Sequence, residues 1–451
     1  MKEFFKNKWV RFAIVAILYV LWFVVWSKSL WMLLGLPIIF DIYITKFFAR
    51  LLRLDRHKAL KQTNKVYKEV WSWIDAIVFA LIFATLINTY VFQMYQIPTS
   101  SMEKTLLVGD YLYVSKATYG PRLPNTPLSL PLMHNTTPSG AKSYSEAVKW
   151  PYKRLAGRRG VERDDVVVFN FPAGDTVILE RQAETYYDIV RQFTGAYGEK
   201  RGRELMNKNY TVVSRPVDKR EHYVKRCVAL PGDTLQIVGG ELFVNSEPQK
   251  ELAGRQFIHF VQTTSPLSGK SLERLGVSKD DVHYSPSTGV YVMPLTEESV
   301  EKLRAMKNVE SVTKNETTET YLAIFPNSDK FSWTEDYFGP LWVPQKGATV
   351  ALSEDNLPLY ERIIKNYEGN ELEVTDGVIY INGEPATEYT FKMDYYFMMG
   401  DNRHCSADSR YWGFVPEDHI VGTPSFVWLS LDKYKPFPSN IRWNRMFKAH
   451  K

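Results

Sequence analysis

From Ala76 to Tyr95 the chain carries no charged side chain over twenty residues, which is the length of helix that crosses the hydrocarbon core of a bilayer. Two more uncharged runs precede it, Phe12–Trp26 and Leu30–Phe40. Lys2, Lys6, Lys8 and Arg11 before the first resemble the head of a secretory signal, but Trp26-Ser27-Lys28 offers no small-x-small cleavage site, so this run reads as an uncleaved anchor. The second is short, interrupted by Pro37 and followed by Asp41. A true span and an interfacial hairpin segment both stay open for it.

Charge orients these runs. Between the second and third lies Lys46–Lys68, with eight basic residues and one Asp, and such a loop belongs on the cytoplasmic side. The N-terminus is then inside, the spans fall at about 9–27, 29–45 and 72–95, and residues 97–451 lie outside. Residues 1–69 hold thirteen Lys/Arg against four acids, so the formal charge of +6 for the whole chain leaves the rest slightly acidic. That excludes the basic outer footprint of a nucleic-acid binder. With 45% hydrophobic and 24% charged residues, neither wholesale disorder nor a polytopic transporter fits. Two cysteines, Cys227 and Cys405, cannot make a disulfide scaffold and have no metal-ligand spacing.

Beyond Gln96 the chain reads as short β-branched and aromatic runs punctuated by Gly, Pro, Asn and Asp, such as Asp165–Phe169 and Val378–Gly383. Helical spacing is confined to Thr185–Phe193 and Glu297–Met306, so a mainly β outer domain is expected. Tyr223–Pro248 aligns without gaps to Tyr360–Pro385, with seven of 26 positions identical. This is either a second, degenerate β unit or the common look of strand-turn-strand sequences. In the first case Thr349–Leu352 is the counterpart of Val166–Phe169, and Lys225 aligns with Arg362.

Three polar stretches could do chemistry. The first, Ile97-Pro98-Thr99-Ser100-Ser101-Met102 with Leu106–Asp110, is a hydroxyl-rich turn directly after the third apolar run. The second is Tyr223-Val224-Lys225-Arg226, where strand alternation sets Lys225 on the face of Tyr223, Cys227 and Ala229. The third, Gly400–Gly413, is dense in Asp, Arg and Ser. Each alone describes a turn, a solvated lysine or an ion-paired loop.

Together, in this order, and with Arg163–Phe169 and Leu230-Pro231-Gly232-Asp233 between them, they resemble the type I signal peptidases, membrane-bound serine proteases that remove signal peptides from exported proteins. The sequence departs from that family's pattern at Lys104, where Pro is usual, at Asp164, where Gly is usual, and at His404-Cys405. The resemblance implies a signal-peptidase/LexA-like β fold and a Ser101/Lys225 dyad without histidine. It also implies an oxyanion hole of the Ser101 N–H and Thr99, Ser406 orienting the lysine, and loop-tethering pairs Arg226–Asp401 and Asp408–Arg410. Shallow pockets for small side chains before the cut would be lined by Ile97, Pro98, Met102, Leu106 and Val224, with Tyr95 and Gln96 flanking an edge that takes the peptide as an added strand. No cofactor or metal is implied. The partners are preprotein signal peptides, the lipid bilayer and, transiently, the export machinery, with no nucleic acid. The location is the inner membrane of a bacterium.

The chemistry asks for these residue types. A serine hydroxyl needs a base, and lysine is one only when neutral, which burial promotes. Self-cleaving repressors share such a dyad but lack membrane anchors, and a non-catalytic descendant would have lost Ser101 or Lys225. The expected organisation is an anchor at 1–96, a catalytic β core at 97–248 and 346–451, and an α+β insertion at 249–345. Cys227 and Cys405 flank the expected site, where a disulfide and two buried apolar thiols are the alternatives.

Overall fold

The computed structural model describes all residues except 1–6, 26–29, 52–53, 183, 320–322 and 449–451. The junction between the first two apolar runs, with Lys28, therefore lies outside the described residues. Among the described residues two helices are long and apolar enough to cross a membrane, Lys8–Val25 and Lys65–Tyr90, whereas Met32–Thr45 is shorter. The helix of the third apolar run, Lys65–Tyr90 and from here the third helix, ends earlier than the uncharged run itself, which extends to Tyr95. Phe92–Gln96 is a strand paired in register with Asp110–Ser115. Alternating Phe92, Met94 and Gln96 suit a sheet edge, and that pairing satisfies backbone groups which a longer helix would otherwise claim.

The body of the protein is a seven-stranded antiparallel sheet. Its order is Phe92–Gln96, Asp110–Ser115, Ile420–Ser430, Val166–Asn170, His222–Ala229, Tyr395–Met399 and Val415–Pro416. Val166–Asn170 is buried at all five positions, as the apolar run Val166–Phe169 suits a central strand, while the buried Asn170 amide is satisfied by donating to the Arg220 carbonyl at 2.8 Å. Each flank of the sheet packs a core. One holds Ile97, Met102, Leu106, Leu112 and Val166, and another holds Val167, Phe169, Cys227, Met398 and Trp412.

A separate four-stranded sheet of His283–Ser285, Val290–Leu295, Phe257–Thr263 and Val309–Lys314 packs with helices Gly269–Leu275 and Glu297–Arg304 over its own core, which includes Val261, Met293 and Leu303. The helix expected from Thr185 runs from Tyr186 to Tyr197, with Thr185 Oγ capping the Asp188 N–H. A second helix, Glu199–Asn209, follows it. Its sequence offered no stripe to read, because Leu205 and Met206 are its only large apolar residues. Gly202 lets the pair close up, since a Cβ there would sit 2.6 Å from the Phe193 carbonyl oxygen.

The internal repeat is half real in structure. The hairpins Thr234–Val238/Glu241–Val244 and Leu372–Thr375/Val378–Ile381 correspond, each with a short third strand. The first half does not correspond, because Leu357–Arg362 is helical and Thr349–Ala351 pairs only with Glu388–Thr390. A second β unit of the full length is thus corrected to a repeated hairpin.

Candidate active site

Ser101 sits in a short helical turn, Ser100–Met102, that follows the membrane-proximal strand after Pro98 and Thr99. Lys225 lies in the strand His222–Ala229. Their Oγ and Nζ atoms stand 2.6 Å apart in a buried hydrogen bond, with Ser101 7% and Lys225 3% exposed. The lysine is buried, and its Nζ lies 5.7 Å from the centre of the Tyr223 ring. Burial pushes the amine down to about 8, while Asp408 and Asp401 draw it upward and Arg410 pushes it further down. Among the described residues no aspartate or glutamate is paired with it, and its hydrogen bond is to the Ser101 hydroxyl.

The loop after Tyr395–Met399 closes over this pair. Gly400 passes so near the turn that a Cβ would meet Ser406 Oγ at 2.2 Å and the Ser101 carbonyl oxygen at 2.6 Å, so any side chain there would force the turn or the loop to shift. The backbone N–H of Asn402 donates to the Ser101 carbonyl at 3.1 Å, and its side-chain amide donates to the Ser100 carbonyl at 3.2 Å. Asn402 thus pins the Ser100–Met102 turn, a role that residue type alone did not signal. Arg226 holds Asp401 with two bonds of 2.8 and 2.6 Å, and Asp401 also accepts from Thr105 at 2.6 Å. Asp408 takes two bonds from Arg410 and a third from the Gly400 N–H. Both expected tethering pairs are therefore present, and both are almost fully buried, where fork-to-carboxylate geometry fixes position as well as energy. Ser406 is close to the turn, but its hydroxyl donates to the Ala407 carbonyl at 3.5 Å, and no hydrogen bond joins it to Lys225.

The expected pocket residues separate into two groups. Ile97, Met102 and Leu106 are buried in one apolar cluster, with Tyr95 and Val224 packed against it. Gln96, Pro98 and Thr99 are exposed along the adjoining edge, leaving the Thr99 side chain open beside the serine. Two strand edges lie beside these residues. Phe92–Gln96 is the last strand of its sheet, and His222–Lys225 is paired only to Val166–Asn170, since Tyr395–Met399 begins its pairing at Arg226. The rings of Tyr95 and His222 approach to 4.8 Å and bring the two edges together. Cys227 and Cys405 are both free.

The three departures from the family pattern have one structural explanation. Lys104 adopts φ 71°, which proline cannot, and donates to the Leu275 carbonyl at 2.6 Å. Asp164 adopts φ 70°, where the usual glycine would be at ease, and accepts from Gln249 at 2.7 Å, while its carbonyl accepts from Arg226. His404 bonds Asp336 at 2.9 Å and takes the Ile258 N–H at 3.2 Å. The side chains of Lys104, Asp164 and His404 each reach into residues 249–336, so the loops around Ser101 and Lys225 are tied to that part of the chain.

With this geometry in place, the family described as signal peptidase, peptidase S26, matches residues 70–315 and 388–429. That is well over half of the chain, and the chain belongs to this family. Residues 316–387 are passed over by the match. A signal peptidase I of Haemophilus influenzae is 26% identical over 384 residues, covering 83% of this chain and 73% of the relative. One from Buchnera aphidicola subsp. Acyrthosiphon pisum is 24% identical over 399 residues, 88% of this chain and 86% of the relative. One from Helicobacter pylori is 24% identical over 408 residues, 86% of this chain and 95% of the relative.

Proposed function

We propose that this chain is a membrane-anchored serine endopeptidase that removes signal peptides from preproteins with Ser101 as nucleophile and Lys225 as base. The buried 2.6 Å contact between Lys225 Nζ and Ser101 Oγ carries the reading. The neutral amine takes the hydroxyl proton as Oγ attacks the scissile carbonyl carbon. The oxyanion is met by the Ser101 N–H and the exposed Thr99 hydroxyl, an arrangement typically worth a few kcal/mol. The ammonium then gives its proton to the departing amine of the mature protein. Water, deprotonated by the same lysine, releases the signal peptide from the acyl-enzyme. Ser406, next to the nucleophile turn, orients the lysine once substrate has closed the groove. Arg226–Asp401 and Arg410–Asp408 hold the loop that shapes it.

The peptide enters as a strand between Phe92–Gln96 and His222–Lys225, and the closed apolar cluster of Ile97, Met102, Leu106 and Val224 favours small side chains at alternate positions before the cut. The chain is organised as an anchor at 1–96, a catalytic core at 97–248 and 346–451, and an insertion at 249–345. The basic Lys46–Lys68 loop supports a cytoplasmic N-terminus, a multi-pass anchor and a catalytic domain outside the inner membrane of a bacterium, where lipid and the export machinery are its surroundings. The test is the full chain with a preprotein carrying an Ala-x-Ala site. Cleavage at that site by the wild type and none by Ser101→Ala is expected, and equal cleavage by both would overturn the assignment.

A further inference from the structure

Beside the substrate groove, the last turns of the third helix and the loop from Arg122 to His134 enclose a cavity of about 300 Å³. Its walls carry Lys116, Arg122, His134, Lys219 and His222 against one acid, Asp218. That carboxylate is engaged with the loop, accepting from the Thr126 N–H at 3.0 Å and from its hydroxyl at 2.9 Å. Arg122 is fixed by Asn170 at 2.5 Å and by the Asp418 carbonyl. Lys116 has neither an ion pair nor a side-chain hydrogen bond among the described residues, and burial beside Arg122 pushes its amine down to about 7. Burial pushes the imidazoles of His134 and His222 down, toward the neutral form, and Asp218 and Asp418 lie near Lys219 and Arg122, so Lys116 is the lining cation left without a carboxylate partner, and such a group is completed by an anion.

Its surroundings select the anion. One wall is Thr85, Asn88 and Thr89, at the outward end of a helix long and apolar enough to span a bilayer. The opposite wall includes Leu130, Leu132 and Met133, whose side chains are exposed along the same side as Leu128. An apolar rim around a cationic floor, at the depth where a span leaves the hydrocarbon, matches an amphiphile with a negative head.

We propose that this cavity binds the phosphate of an outer-leaflet phospholipid headgroup, with Lys116 and Arg122 on the phosphate and the acyl chains along Leu130–Met133. The proposal rests on the reading of Lys65–Tyr90 as a span and is independent of the dyad. Because His222 and Gln93 also line the cavity, the bound lipid abuts the end of the groove through which the membrane-proximal part of a signal peptide arrives.

Native mass spectrometry of the full chain in detergent tests this without any cleavage assay, so a failure of the catalytic reading would leave the result standing. The probes are phosphatidylglycerol, diacylglycerol and glycerol 3-phosphate, with Lys116→Gln, Lys116→Arg and the wild type compared. Expected are one retained phosphatidylglycerol on the wild type and on Lys116→Arg, about fivefold weaker retention on Lys116→Gln, and little binding of diacylglycerol. Lys219→Gln on the same floor serves if Lys116→Gln melts early by circular dichroism. Equal retention by folded variants and wild type would overturn the proposal. Glycerol 3-phosphate binding as tightly as the lipid would assign the cavity to free phosphate. That result overturns the lipid site.

Discussion

Tyr223–Pro248 and Tyr360–Pro385 begin alike and end alike, but only their ends have the same shape. The two hairpins turn at matched positions: Gly239-Gly240 with Asp376-Gly377, and Asn245-Ser246 with Asn382-Gly383, all eight with positive φ. Turns of this kind are set by the residues within them, so they survive transplantation. The leading segments differ because their apolar residues are spaced differently. Arg226–Ala229 is buried residue after residue in a strand with neighbours on both sides. Leu357, Tyr360, Ile363 and Ile364 are buried at helical spacing, with Pro358 in the first turn. One consequence is chemical. Lys225 meets a serine, whereas its aligned partner Arg362 binds Asp175 at 2.9 Å and lies 4.1 Å from the Tyr187 ring centre.

The contrast can be broken most severely at Lys225. Lys225→Ala and Lys225→Arg should each lower preprotein cleavage by about 10³-fold or more, since neither supplies a neutral amine, with circular dichroism showing an unchanged fold. Next in size are the twin positions in the two hairpins. Val244→Pro removes a ladder donor inside the main core and should cost about 3 kcal/mol or more in thermal or urea unfolding. Ile381→Pro makes the same change in a half-buried strand, should cost less stability, and should slow cleavage because that hairpin leads through Tyr395–Met399 into the Gly400 loop. A smaller effect in Val244→Pro than in Ile381→Pro would show that the second hairpin is the more deeply integrated. Smallest should be Arg362→Ala. It loses a partly buried pair worth about 1–3 kcal/mol of stability, while kcat/KM measured below the melting range stays within about threefold. A collapse of kcat/KM with normal folding would reveal chemistry in the helix.

The candidate site was legible in sequence only through the joint order of its stretches, the serine turn, the lysine strand and the loop crowded with Asp and Arg, which are ordinary singly and resemble the signal peptidases together. Tertiary closeness was not legible. Asn402 looks like any loop asparagine until its amide is seen on the Ser100 carbonyl. Likewise, the departures at Lys104, Asp164 and His404 make sense only once Leu275, Gln249, Ile258 and Asp336 are found opposite them. In the fold, strand runs and turns were local and readable. The polar helix Glu199–Asn209 was not, because it is held by its neighbour and lacks a stripe of its own.

The central claim is that burial makes Lys225 a usable base, and the pH dependence of wild-type kcat/KM under chemistry-limited conditions measures it. The folded amine is lowered to about 8, so below that pH it is protonated and the rate should fall about tenfold per unit. Above it the rate should level off, about two units sooner than for an unperturbed lysine near ~10.4. A profile flat from about pH 5 to 9, or one still climbing toward ~10.4, would contradict the account.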